Sequence, residues 1–238
     1  MITIDGRADL LSMNLTELGE FLAALGVEKY RAKQIYGWMV RGVGFDNMTN
    51  LSKSLRERLA ESAVVNLPTI ERRLVSKLDG TVKYLFGLYD GNLIESVFMR
   101  YKHGNTLCVS SEVGCPMGCR FCASTLGGLV RRLLPSELLG QIIAAERDTG
   151  ERISNIVMMG IGEPLDNYDN TIKFLRLVSD PDGLDIGSRH ISLSTCGLVD
   201  KIDELAKLEL QITLSISLHA ADDETRSSIM PINKKWNI

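Results

Sequence analysis

From Asn105 onward the chain alternates short apolar runs with longer amphipathic ones: LCVSS, a helix from near Ser136, ISNIVMMG, a helix from near Asn170, HISLST, a helix from near Val199, and QITLSISL. Strand and helix in regular alternation predict an α/β fold, a parallel sheet with right-handed crossovers, open or curled into part of a barrel. Functional groups in such folds gather at the C-terminal ends of the strands. Parity adds a constraint. Residues 211–219 place Ile212, Leu214, Ile216 and Leu218 on one side and Thr213, Ser215, Ser217 and His219 on the other, and His190, Ser192, Ser194 and Cys196 repeat the polar side. Parallel strands covered by helices are apolar on both faces. Two strands with a polar face therefore predict a lumen that holds a polar ligand.

The first 104 residues have a different texture. Residues 1–66 read as a helical accessory domain. Asn14 and Glu17 form a capping signal ahead of the stripe Leu15, Leu18, Phe21, Leu22 and Leu25; a second helix runs through Tyr30, Ile35, Tyr36 and Met39, and a third from about Ser52 to Ser62. Residues 67–104 read as a small antiparallel β meander, TVKYLFGLY and NLIESVFMRY, with two-residue hairpin turns expected at Asp79-Gly80 and Asp90-Gly91. Residues 105–238 are then the N-terminal part of a (β/α) barrel. MPINKKWNI follows the fourth strand with nothing to close the sheet, which predicts that the C-terminal part of the barrel is missing, since a bare parallel edge is unfavourable.

Charge divides the chain in the same place. The formal net charge is −3, unlike the strongly basic balance of proteins that coat nucleic acid without specificity. Residues 1–104 nevertheless hold 14 Lys+Arg against 12 Asp+Glu, while the remainder holds 13 against 18. An anionic polymer would meet the N-terminal half, although its basic residues also fit a plain solvated face. No apolar run approaches the roughly 18 to 20 residues of a membrane span, and acidic residues stand where a signal peptide would be basic. A cytoplasmic protein without membrane contact is expected.

Cytoplasmic cysteines are more often ligands or catalysts than disulfides. Of the five, Cys115, Cys119 and Cys122 form a C-x3-C-x2-C array in GCPMGCRFC, directly after the LCVSS strand. Chance would produce that spacing in roughly 0.2% of chains with this cysteine content. Soft thiolates on a short loop suit iron–sulfur or zinc. Structural zinc wants four closed ligands, and neither a second C-x2-C pair nor a nearby histidine supplies the fourth. Three cysteines on a four-iron cube leave one iron open to bind a small molecule. Cys108 stands seven residues before the array, outside ligand spacing, and by itself reads as a strand cysteine. Glycine-rich Gly160-Ile161-Gly162 runs into Glu163-Pro164, which would repel a pyrophosphate, so it is not a phosphate loop.

The array, with GEP after the second strand, resembles the radical S-adenosylmethionine (SAM) superfamily. The fuller text LCVSSEVGCPMGCRFCAS, VMMGIGEPLDN, LSTCG, ISLHA and MPINKK is similar to the RlmN-type adenine-C2 RNA methyltransferases, relatives of the C8-methylating Cfr enzymes. The resemblance implies a partial radical-SAM barrel in which Cys115, Cys119 and Cys122 hold a 4Fe–4S cluster. It implies that Gly162, Glu163, Ser194 and the Ser217-Leu218-His219 segment hold SAM, that Cys108 helps resolve a covalent enzyme–RNA intermediate, and that Glu95 is the proton acceptor. Adenine C2 has no acidic proton, so ordinary methyl transfer fails there and a radical route through a methylated cysteine is implied. That cysteine, and an asparagine contact to SAM, fall in the part of the family beyond Ile238, so the chain as written is expected to be an incomplete fragment of the methyltransferase that binds cluster and SAM poorly and cannot complete turnover. The implied partners are 23S rRNA, tRNA and an electron donor such as flavodoxin or ferredoxin, with the protein a monomer. Competing readings are adenine-C8 methylation, a radical SAM enzyme acting on a target other than RNA, and a non-catalytic zinc module.

Overall fold

The computed structural model describes residues 1–238. Its centre is a seven-stranded mixed sheet. Four strands are parallel: β7 (Gly104–Cys108), β10 (Asn155–Met158), β11 (Ile191–Thr195) and β12 (Thr213–Ile216); three extend it antiparallel from β7: β6 (Leu93–Tyr101), β5 (Val82–Gly87) and β4 (Thr69–Val75). The predicted parallel sheet and the predicted meander are thus one continuous sheet, with β4 and β12 at its edges.

The crossovers are α4 (Pro135–Thr149), α5 (Tyr168–Val178) and α6 (Val199–Ala206), and α7 (Asp223–Ile229) follows β12. Proline at the first turn of α4 starts that helix without wasting an N–H, and Gly150 ends it in a left-handed conformation (φ 70°). The helices cover one face of the sheet's central strands, while the edge strands β4 and β12 stay largely exposed, including Leu214 and Ile216 on the apolar parity of β12. Phe98, Leu107, Ile156 and Leu193 point into the covered face, every one fully buried, in a single core that continues into the N-terminal segment through Leu10, Leu18, Ile35 and Met39. Among the buried polar side chains, Gln141 has all its partners made. Gln141 of α4 accepts from the Ser96 hydroxyl (2.6 Å) and the Ser110 N–H (2.9 Å), and donates to the Ser110 carbonyl (3.0 Å) and the Glu137 carbonyl (3.2 Å). A buried amide so fully satisfied fixes the helix against the sheet in one register.

Three helices were expected at the N-terminus and three form: α1 (Leu15–Ala24), α2 (Tyr30–Met39) and α3 (Lys53–Ser62), the first with the full Asn14/Glu17 capping box. Sequence periodicity missed the small sheet that ties them together, β1 (Thr3–Ile4), β2 (Arg7–Asp9) and β3 (Ala63–Val64). Strands of two or three residues are too short to show a period. The two hairpins of the meander form, but neither has a two-residue turn. In the first, Ser76 to Thr81 makes a longer loop in which the Gly80 N–H reaches the Ser76 carbonyl and the Asp79 side chain accepts from Thr81. The Asp79 and Asp90 side chains each bond their own loop, and that local bonding supports a wider turn than the dipeptide alone requires.

Candidate active site

The array sits on a loop clamped by a second hairpin, β8 (Glu112–Gly114) with β9 (Leu129–Arg132). Gly114 has φ +75°, and a Cβ there would lie 1.9 Å from the Gly128 carbonyl, so only glycine lets the loop close. The Cys115 N–H donates to that same carbonyl (3.1 Å), and the Thr125 hydroxyl donates to the Cys119 (3.2 Å) and Cys122 (2.9 Å) carbonyls. The Arg120 N–H donates to Ile229, so the C-terminal segment also braces the loop.

Cys115, Cys119 and Cys122 line one cavity of about 310 Å³ with Gly162, Glu163, Ser194, Ser217 and His219. Residues separated by more than a hundred positions thus converge beyond the C-terminal ends of the parallel strands. Glu163 is 4% exposed; its carboxylate accepts from the Leu165 (3.1 Å) and Cys196 (2.8 Å) N–H groups, which leaves acceptor capacity on both oxygens. The hydroxyls of Ser194, on β11, and Ser217, just past the end of β12, are 3.1 Å apart. His219 stands in the left-handed region (φ 60°) with its ring 4.8 Å from that of Phe121, which is half exposed at the cavity mouth. Leu218 lines no part of the cavity. Its side chain is partly exposed, and its carbonyl accepts from Arg226.

The donor set fits an iron–sulfur cluster. Burial pushes the Cys115 thiol up to about 12 and the Cys119 thiol upward as well, so these sulfurs become thiolates only with positive charge in the cavity. Three thiols on one short loop border a single cavity, and soft sulfur donors grouped in that way suit iron–sulfur chemistry. The nearest extra thiol, Cys196, packs with Cys119 and Met230 and faces the Glu163 carboxyl, and burial drives it upward too.

Cys108 and Glu95 lie outside this cavity. Cys108 lines a separate one of about 610 Å³ with Met99, Thr106 and His190, and Met159 borders both. Glu95 is on the same face of the sheet, half exposed and 2.8 Å from Lys83. Several of the basic residues of the meander are likewise paired, Arg73 with Asp148 and Arg100 with Glu151.

Sequence reading missed Arg226. It is 3% exposed, and its guanidinium donates to the carbonyls of Leu218, Cys196 and Trp236 and to the Asn233 side chain. One buried fork thereby joins the ends of β11 and β12 to the MPINKK segment. Its only sequence signal is that segment's closeness to a charged helix.

The Radical SAM superfamily model matches residues 109–237, and the model for the ribosomal RNA large subunit methyltransferase N-terminal domain matches residues 8–65. A probable dual-specificity RNA methyltransferase RlmN from Alkaliphilus oremlandii is 56% identical over 98% of this chain. The chain belongs to the RlmN family of radical SAM proteins. It spans 68% of that relative and 66% of the RlmN of Alkaliphilus metalliredigens, which is 53% identical. Among solved structures, a radical SAM methyltransferase from Sphaerobacter thermophilus superposes with TM-score 0.92 at 43% identity, over 97% of this chain and 69% of its own. RlmN membership brings SAM and a 4Fe–4S cluster as the family's cofactors. No helix is long and apolar enough to cross a membrane.

Proposed function

We propose that this RlmN-family chain carries the cofactor-binding part of an enzyme that methylates carbon 2 of a specific adenosine in 23S rRNA and in tRNA. One observation supports the reading most: three thiols, a buried glutamate and two strand hydroxyls border a single cavity beyond the parallel strands. Cys115, Cys119 and Cys122 would hold the cluster. The Gly162 backbone and the Glu163 carboxylate would take the amino group of SAM, with Ser194, Ser217 and His219 along its length. When bound, the pair supplies the one-electron chemistry that an unactivated ring carbon requires. Met230, fully buried against Cys119 and Cys196, would shield that side of the cysteine loop from water. Cys108 and Glu95, on the same sheet face, would serve as the thiol and the proton acceptor. The helices of residues 1–66 would meet the RNA, and flavodoxin or ferredoxin would deliver electrons.

The test is anaerobic reconstitution with iron and sulfide counted with and without SAM, followed by mass spectrometry of adenosines in rRNA and tRNA treated with the intact protein. About four irons per chain and 2-methyladenosine are expected. Zinc without iron, 8-methyladenosine, or no RNA product would each overturn a named part of the reading.

A further inference from the structure

Glu112 belongs to none of the roles above, yet it lies between the two halves of the site. It sits in β8, immediately before the cysteine loop, and is fully buried. Its Oε2 accepts from the Glu163 N–H at 2.9 Å. Its stem packs against Gly162, where a Cβ would lie 2.7 Å from the Glu112 Cβ, so the glutamate fits only because the turn carries glycine there. Its other oxygen, Oε1, is buried with no donor facing it. The carboxyl beside it is that of Asp166, which Arg132 holds at 2.8 Å.

A buried anion with one oxygen unsatisfied, next to a second carboxylate, is an expensive arrangement. One proton resolves it. A protonated Glu112 keeps a carbonyl oxygen for the Glu163 N–H and gains a hydroxyl that donates to Asp166, whose charge Arg132 already balances. We propose that Glu112 is a positioning residue, present as the neutral acid, that fixes the Gly162-Glu163 turn against the cysteine strand. The direction of its acidity agrees: burial foremost, and the Asp166 carboxyl, push Glu112 above the usual carboxylate range, against the opposing pull of the Glu163 N–H and Arg132. The inference rests on the reading that the Gly162-Glu163 turn receives SAM.

The experiment compares Glu112→Gln with Glu112→Asp. Glutamine reproduces the neutral acid, with its carbonyl on the Glu163 N–H and its amide donating to Asp166. Aspartate keeps the charge type but is one methylene too short to span both. Two readouts are taken: deuterium exchange of the 160–166 amides in the protein without cluster or SAM, and the Kd for SAM after anaerobic reconstitution. Expected for Glu112→Gln are wild-type protection and a Kd within about 3-fold. Expected for Glu112→Asp are faster exchange confined to 160–166 and a Kd raised 10-fold or more, with iron content unchanged. Loss of protection in Glu112→Gln equal to that in Glu112→Asp would show that a carboxylate is needed and would overturn the proposal, as would unchanged protection in Glu112→Asp. Failure of the wild-type protein to bind SAM, or undiminished binding in Glu163→Ala, would instead overturn the reading on which it rests; the exchange data decide the role of Glu112 in either event.

Discussion

The two faces of the central sheet obey opposite rules. Beneath the helices, Phe98, Leu107, Ile156 and Leu193 are fully buried, and the buried amide of Gln141 has every bond made. Across the same strands, one residue out of step, Met99, Cys108, Val157, Ser192 and Ser194 face open cavities. Because a strand alternates sides at every residue, the same short segments specify both faces at once. The covered face holds the fold. The open face forgoes burial that a purely structural sheet would make, and it keeps cysteines, hydroxyls and methionines where a ligand can reach them.

The sharpest way to break that division is to remove one sulfur. Cys119→Ala takes one thiol from a buried site whose apolar neighbours, Cys196 and Met230, accept a methyl group readily. Iron content after reconstitution and RNA methylation by the intact protein should both fall to background. The thermal midpoint of the protein without cluster should move by no more than about 1 kcal/mol in stability, the usual scale of a small volume loss. A drop of several kcal/mol would mean that the open face is structural after all.

Neighbouring residues of β6 give the next contrast. Phe98 is fully buried against the helices, whereas Val97 faces the larger cavity. Phe98→Ala should cost about 3–5 kcal/mol in denaturant unfolding, and Val97→Ala about 1 kcal/mol. Similar costs for the two would contradict the assignment of faces.

How much of this was legible in sequence follows from range. The parallel strands, their crossovers and the polar parity of Ser192, Ser194, Ser215 and Ser217 are local patterns, and they appear as read: Ser192 pairs beside Thr213 and Ser194 beside Ser215. The cysteine array was legible because its spacing is short. Gln141 and Arg226 were not, because each is an ordinary polar residue in a helix until the fold brings distant carbonyls to it. Glu112 was hidden for the same reason: nothing in SSEVG marks a carboxyl that meets an N–H 51 residues away. The turns of the meander failed differently, since the Asp-Gly pairs are local but the Asp79 and Asp90 side chains chose a wider loop.

The smallest effect probes a buried, unsatisfied oxygen where the N-terminal segment joins the core. Asp9 is fully buried where the N-terminal segment meets α4. Its Oδ2 accepts from Ser12 (2.6 Å), the Ser12 oxygen in turn accepts from the Ser136 N–H (3.0 Å), and Oδ1 has no partner. Burial, the largest influence, raises Asp9 to about 6 from 3.8, with the bond from Ser12 opposing and Glu137 adding repulsion. The folded protein therefore holds this proton more tightly than the unfolded chain does. Asp9 contributes its full stability below about pH 4 and loses it as pH rises through about 6. Between pH 5 and pH 7 the wild-type protein should lose about 1 kcal/mol that Asp9→Asn does not lose, the other titrating groups being common to both. Urea unfolding of the pair at the two pH values reads the difference directly. A wild-type protein that gains stability over this interval relative to Asp9→Asn would place an ionised, well-solvated carboxylate at this joint, and the covered face would then be wetter than its apolar side chains imply.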